Sequence, residues 1–178
     1  MSSETTARTL RCLFVCHGNI CRSPMAEGIF RKLVQDNKSS LNFSSFEIAS
    51  CGVSGEHEDE GADDRAISTM RSMGGIDITS HRARKVRRHD LTHFDYIFAM
   101  DESNYQALQR FQQREGIQGN VKLLLREFGD GTTESVPDPW YGGMDGFKKV
   151  YNMLTASLTR FLNTLKKPEA EAAEEKTE

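Results

Sequence analysis

No apolar run in the 178 residues approaches the roughly 18 that a membrane helix needs, so a spanning chain is not expected. The opening MSSETTARTLR is polar and lacks the apolar stretch of a signal peptide. Cysteine is scarce and one-sided: Cys12, Cys16, Cys21 and Cys51 are the full set, with none after position 51. A secreted disulfide framework of this length would use more cysteines and spread them further. A reducing, cytoplasmic setting is the simpler reading, and it leaves each thiol available for chemistry. Positive charge is not in excess either. A net charge of −3 argues against a nucleic-acid binder. Cys16, His17 and Cys21 lie close together, but no second cluster of matching spacing follows, so no metal site is expected. There is no internal repeat, and no cofactor is implied. What is present, 37% hydrophobic and 28% charged residues, suits one domain around one core.

Apolar runs of strand length alternate with helical spacing along the chain. RCLFVC (11–16) reads as a first strand, and FEIASCGV (46–53) as a second. YIFAM (96–100) reads as a third and VKLLLREF (121–128) as a fourth. Between the first two, PMAEGIFRKLVQD has Met25, Ile29, Phe30 and Leu33 on one face, and Ser23-Pro24 reads as N-cap and first helical residue. RAISTMRSM forms a second helix closed by Gly74 and Gly75. A short helix fits within the basic stretch 81–93, another begins at DESNYQALQRF, and the last starts near Asp145. Such alternation predicts a single α/β domain at 9–167: a four-stranded parallel sheet, order 2-1-3-4, with helices on both faces. The tails, 1–8 and 168–178, are expected to be disordered. Ligands bind at the carboxyl ends of strands beside a switch in strand order. Cys16, Ser50, Asp101 and the loop holding Asp138 all fall at that edge.

The segment Cys16-His17-Gly18-Asn19-Ile20-Cys21-Arg22-Ser23 joins the first strand to a helix N-terminus. Successive N–H groups of such a loop can converge on an anion, reinforced by the helix dipole. Gly18 is expected to supply the special dihedrals. Arg22 can bind two phosphate oxygens at once. Donors of this kind lower a thiol pKa from about 8.5 into a range of about 3.5–7.5, which predicts a thiolate nucleophile at Cys16. Asp138, held between Pro137 and Pro139, is placed to act as a general acid, and Trp140 and Tyr141 to wall a flat aryl group. Cys12 and Cys51 read as core residues and His17 as solvent-facing. The basic residues Arg82, Arg84, Lys85, Arg87 and Arg88 read as a solvated face.

VCHGNICRSPMAE (15–27) together with DPWYG (138–142) resembles the low-molecular-weight protein tyrosine phosphatase family. The likeness extends over roughly residues 9–165 and includes Ser50-Cys-Gly, Ser80-His81-Arg-Ala-Arg84 and FDYIFAMDESN (94–104). The acid lies far downstream of Cys-x5-Arg, as in the small family and unlike the large tyrosine phosphatases. The resemblance implies hydrolysis of aryl phosphate monoesters through a phosphocysteine on Cys16. It implies that Arg22 holds the phosphate and that Asp138 serves as acid, then base. It also implies that Ser23 donates to the Cys16 sulfur, that Asn19, Ser50 and His81 brace the loop, and that Trp140 and Tyr141 flank the substrate ring. The implied partners are phosphotyrosine proteins or peptides and small aryl phosphates, with neither nucleic acid nor membrane, on a monomer or weak dimer.

Three rival readings are weighed against these residues. Arsenate reductases share the loop but relay a disulfide through two further cysteines, and none follows position 51. Bacterial protein-arginine phosphatases of this family carry Thr where Ile20 stands. An idle phosphotyrosine-binding module would be expected to lose Cys16, Arg22 or Asp138, and all three are present. Some eukaryotic relatives carry an aromatic residue after the second strand, opposite the aromatic pair. Here that loop reads Gly55-Glu56-His57-Glu58-Asp59-Glu60, so this wall is expected to be missing and acidic peptides to be repelled. The acidic loop 56–64 and the acidic tail leave substrate choice open, small metabolites such as flavin mononucleotide included. Finally, Cys21 lies on the same curled loop as Cys16. This proximity predicts that mild peroxide closes a protective Cys16–Cys21 disulfide.

Overall fold

The protein is described by a computed structural model over residues 8–168. Apart from Arg8 and Pro168, the two expected disordered tails lie outside the described residues. The strands are β1 (Thr9–Cys16), β2 (Ser45–Gly52), β3 (Tyr96–Ala99) and β4 (Val121–Leu123). They form one sheet of order β2-β1-β3-β4, all parallel, as the alternating pattern predicts. The helices are α1 (Arg22–Asn37), α2 (Asp64–Gly74), α3 (Arg88–His93), α4 (Glu102–Glu115), α5 (Leu124–Phe128) and α6 (Met144–Thr164). No helix among the described residues is long and apolar enough to cross a membrane.

β1 is the centre of the molecule because residues 12–16 are buried on both faces. Side chains alternate across the pleat. Cys12 and Phe14 join Phe30, Phe98 and Phe161 on the α1/α6 side, while Leu13 and Val15 join Cys51, Leu91, Ile97 and Leu108 on the other. Cys12 and Cys51 are core residues, as expected. The register brings Cys16 opposite Gly52 and Val15 opposite Ala99, so the carboxyl ends of three strands converge.

Two local expectations are corrected. β4 stops at Leu123, and Leu124–Phe128 turns into α5, with Leu124 and Leu125 buried and Phe128 packed against the core. An apolar run of this length does not distinguish strand from helix by itself. At the other end, α1 starts at Arg22 after Cys21, with no side-chain cap. Ser23 is therefore inside the first turn, not the N-cap, and its hydroxyl is engaged elsewhere, as the site makes clear. Elsewhere the caps follow rule. Asp63 and Asp101 cap α2 and α4, and Gly75 closes α2 at φ 61°, a left-handed conformation that costs glycine nothing.

Candidate active site

The loop between β1 and α1 has its outward carbonyls occupied. Val53 N–H donates to Cys16 O at 3.0 Å, Ser54 N–H to His17 O at 2.9 Å, and Asp63 N–H to Ile20 O at 2.8 Å. His81 Nε2 lies 2.7 Å from Asn19 O, and since a carbonyl only accepts, this nitrogen carries the proton. In a trans peptide the carbonyl and the next N–H point opposite ways. The N–H groups of His17, Gly18, Ile20 and Cys21 are thus turned to the inner side, over Cys16. This is the geometry of an anion nest at a helix start.

The strain in the loop falls on Asn19, not on Gly18. Asn19 has φ 60°, and Gly18 is absent from the positive-φ residues, which corrects the dihedral role expected of that glycine. What Gly18 supplies is room for the His57 ring: a Cβ there would sit 2.8 Å from His57 Cδ2, and the ring would have to shift. A left-handed non-glycine residue persists only where its surroundings hold it. Asn19 is fully buried, donates through Nδ2 to Ser23 Oγ (2.8 Å) and Ser50 Oγ (3.0 Å), and accepts at Oδ1 from Arg84 N–H (2.9 Å). Ser50 Oγ donates in turn to Glu27 Oε2 at 2.6 Å. Burial pushes the His81 imidazole below its usual pKa, against the opposing pull of Asn19 O and Glu27.

Cys16, buried at the end of β1, has Ser23 Oγ 3.0 Å from its sulfur. Arg22 is only 2% exposed. Its Nη1 donates to Asp101 Oδ2 at 2.6 Å and to Val136 O at 3.0 Å, and its Nη2 reaches Asp138 Oδ2 at 3.4 Å. Burial alone would lower this guanidinium's pKa, but Cys16, Asp101 and Asp138 hold it above the ordinary value. The arginine is a permanent cation fixed sideways by Asp101. Burial raises the pKa of the Cys21 thiol, and Asp63, Cys16 and Asp138 add to the rise. All four cysteines are free thiols.

Above the sulfur opens a cleft of about 330 Å³, lined by Cys16, His17, Gly18, Ile20, Cys21, Arg22, Glu56, His57, Asp138, Trp140 and Tyr141. His17 is exposed, as expected. The two aromatics differ. Trp140 is partly covered, whereas Tyr141 stands 92% exposed at the rim. The wall expected to be missing is filled. The His57 ring lies 5.6 Å from Trp140, tilted at 49°, and is held by Glu60 Oε2 at 2.9 Å from Nδ1. Of the loop acids, Glu56 Oε2 lies 3.8 Å from His17 Nε2 and Glu58 Oε1 4.0 Å from Arg87 Nη2.

Every residue singled out from sequence is at this edge of the sheet: the loop 16–23, Ser50 and His81 beneath it, and Asp138, Trp140 and Tyr141 across the cleft. Sequence reasoning left three contributors without a role. Asp101 was seen at the end of the third strand, but nothing in the chain pairs it with Arg22. Glu27 lies within the SPMAE run and reads as helix surface. Arg84 acts through its backbone N–H, which no side-chain pattern reveals.

Residues 11–171 match the family model described as low molecular weight phosphotyrosine protein phosphatase. A Schizosaccharomyces pombe protein of that name is 39% identical over 158 residues, covering 89% of this chain and 98% of the relative. A crystal structure of a protein tyrosine phosphatase from Entamoeba histolytica superposes with a TM-score of 0.77 at 33% identity, over 88% of this chain and 96% of that one. A Drosophila arginine phosphatase superposes with a TM-score of 0.80 at 31% identity, over 90% and 100%. The chain belongs to the low molecular weight phosphotyrosine protein phosphatase family and is a phosphatase enzyme.

Proposed function

We propose that this phosphatase hydrolyses aryl phosphate monoesters, phosphotyrosine in proteins foremost, through a phosphocysteine on Cys16. The observation that carries the reading is the meeting of Cys16, Arg22 and Asp138 in one cleft, from chain positions 116 residues apart at their widest bonded pair. The phosphate dianion sits in the nest of inward N–H groups and takes two donors from Arg22. The Cys16 sulfur lone pair forms the S–P bond as the P–O bond breaks, and Asp138 gives its proton to the leaving oxygen. Asp138 then takes a proton from water, whose oxygen attacks phosphorus. The P–S bond breaks, and the departing thiolate is received by the Ser23 hydroxyl. Trp140 and His57, in contact with each other, line the cleft and offer a flat ring an apolar and polarisable wall. The free thiols fit action in a reducing cytoplasm.

Phosphoarginine is the competing substrate, because of the Drosophila arginine phosphatase. Ile20, buried and lining the cleft, favours the aryl ring by apolar contact and crowds a guanidinium. Two variants and two substrates test the proposal. Cys16→Ser is expected to fold and bind phosphate but retain less than about a hundredth of turnover, beyond what one supporting group contributes. Asp138→Asn is expected to lose about 10²–10⁴ in kcat/KM on phenyl phosphate and much less on aryl phosphates with activated leaving groups. An equal loss across that series would reduce Asp138 to a loop-shaping role. Faster turnover of phosphoarginine than phosphotyrosine peptides would reassign the substrate.

A further inference from the structure

We infer that Arg65 is a positioning residue for the general acid, the strut that ties the Asp138 loop to the phosphate loop. The inference rests on the acid role proposed for Asp138. Arg65 is the second residue of α2, and nothing in the sequence sets it apart. Its guanidinium instead spans three segments. Nε and Nη2 fork onto Asp63 at 2.9 Å each. Asp63 caps α2 through its side chain, and its own N–H donates to Ile20 O in the phosphate loop at 2.8 Å. On the far side Nη1 donates to Trp140 O at 3.2 Å and to Gly142 O at 2.9 Å, the two carbonyls of the turn that follows Asp138. The cation also lies 4.7 Å from the centre of the buried Phe147 ring in α6 and 5.6 Å from that of Trp140.

The acid loop needs such a tether. Asp138 is flanked by two prolines, which donate no N–H bonds. The loop's other ties include Val136 N–H to Met100 O at 2.8 Å, Arg22 Nη1 to Val136 O at 3.0 Å, the turn bonds Gly142 N–H to Pro139 O and Trp140 N–H to Asp138 Oδ1 at 3.1 Å each, the ring contact of Trp140 with His57, and, last, the contact of Asp138 with Arg22 at 3.4 Å. Substrate phosphate competes for that arginine, so the last tie weakens when the acid must act. Arg65 is not among the residues that line the cleft, so phosphate does not compete for its bonds to the carbonyls. A planar fork that grips a carboxylate on one edge and two carbonyls on the other is a task for arginine, and lysine lacks the geometry.

The test is kcat/KM over a series of aryl phosphates of graded leaving-group pKa, for wild type, Arg65→Ala, Arg65→Lys and Asp138→Asn. Arg65→Ala is expected to lose about 10-fold, and up to about 10²-fold, on phenyl phosphate, the scale of a small misplacement. On the most activated ester it should stay within about twofold of wild type, steepening the leaving-group dependence in the direction of Asp138→Asn. Arg65→Lys should recover little of the loss. The pair Arg65→Ala with Asp138→Asn should lose no more than Asp138→Asn alone, because one acid cannot be lost twice. Thermal unfolding and vanadate affinity check that α2 and the phosphate loop survive; should Arg65→Ala fail to fold, Arg65→Lys carries the same leaving-group comparison. A uniform loss across the series, or a double variant that adds the two losses, overturns the inference. A flat response of Asp138→Asn itself would instead sink the acid assignment on which it rests.

Discussion

Cys16 and Cys21 share one loop and meet different surroundings. Cys16 has the Ser23 hydroxyl at its sulfur and opens onto the cleft, whereas burial, aided by Asp63, Cys16 and Asp138, keeps Cys21 a protonated thiol. A peroxide is therefore expected to react first at Cys16, because a thiol held protonated, as Cys21 is, is the poorer nucleophile. Cys21 then has one chemical opening: condensation of its S–H with the sulfenic acid, forming an S–S bond and releasing water. Wild type treated with mild peroxide is expected to recover activity under dithiothreitol, and Cys21→Ser to recover much less as Cys16 proceeds to sulfinic acid. Bound phosphate should slow both by covering the sulfur. Peptide mass spectrometry reads the outcome directly. Equal recovery of the two proteins, with no Cys16–Cys21 peptide, would leave Cys21 as loop packing and leave the hydrolytic chemistry untouched.

At the scale of elements, the phosphate loop owes its shape to segments beyond it: Ser50 from β2 and the 81–84 stretch before α3 close on Asn19, and Glu27 from α1 holds Ser50. That closure has a pH signature. Burial lowers the His81 pKa below the unfolded value of 6.5, so the unfolded chain takes up this proton first as pH falls. The stability contribution is fully present above about pH 6.5 and is lost as pH drops through the lower folded value. The difference in unfolding free energy between wild type and His81→Gln, measured by urea titration in phosphate-free buffer, should favour wild type most near pH 7.5 and shrink toward pH 5. A difference that stays flat or grows on acidification contradicts it. The same elements mark what a sequence can disclose. Strand order and the Cys-x5-Arg loop were legible because buried parallel strands and a strand–loop–helix junction leave local patterns. The end of β4 was not, since Leu124, Leu125 and Phe128 serve a short helix as well as a strand. The load on Asn19, the anchoring of Arg22 by Asp101 and the reach of Arg65 are tertiary, and each depends on partners more than 60 residues away.

For the molecule as a whole, chemistry and stability are separated. The site occupies the carboxyl ends of the strands, while the aromatic centre of the larger core lies on the sheet face covered by α1 and α6. Phe161 of α6 is fully buried there, its ring 4.9 Å from Phe98, 5.0 Å from Phe128, 5.1 Å from Tyr96 and 5.3 Å from Phe30. Tyr96 pairs with Cys12, four residues before the nucleophile, or about 13 Å along an extended strand. Removing the ring deletes edge-to-face contacts and leaves a cavity that four elements, α1, β3, α5 and α6, must collapse to fill, so Phe161→Ala should cost about 3–5 kcal/mol. Against a total of about 5–15 kcal/mol that is a large share, and at about 2–4 °C per kcal/mol it lowers Tm by about 6–20 °C. Because the hydrogen bonds that hold the phosphate loop come from β2, α1 and the segments before α2 and α3 rather than from α6, kcat/KM per folded molecule well below that Tm should stay within about twofold of wild type. Calorimetry and p-nitrophenyl phosphate turnover on the same sample separate the two quantities. A Tm drop of less than about 3 °C would mean that the ring contributes little to the core. A tenfold loss of turnover in still-folded protein would mean that packing on that face reaches the phosphate loop, against the division of labour described here.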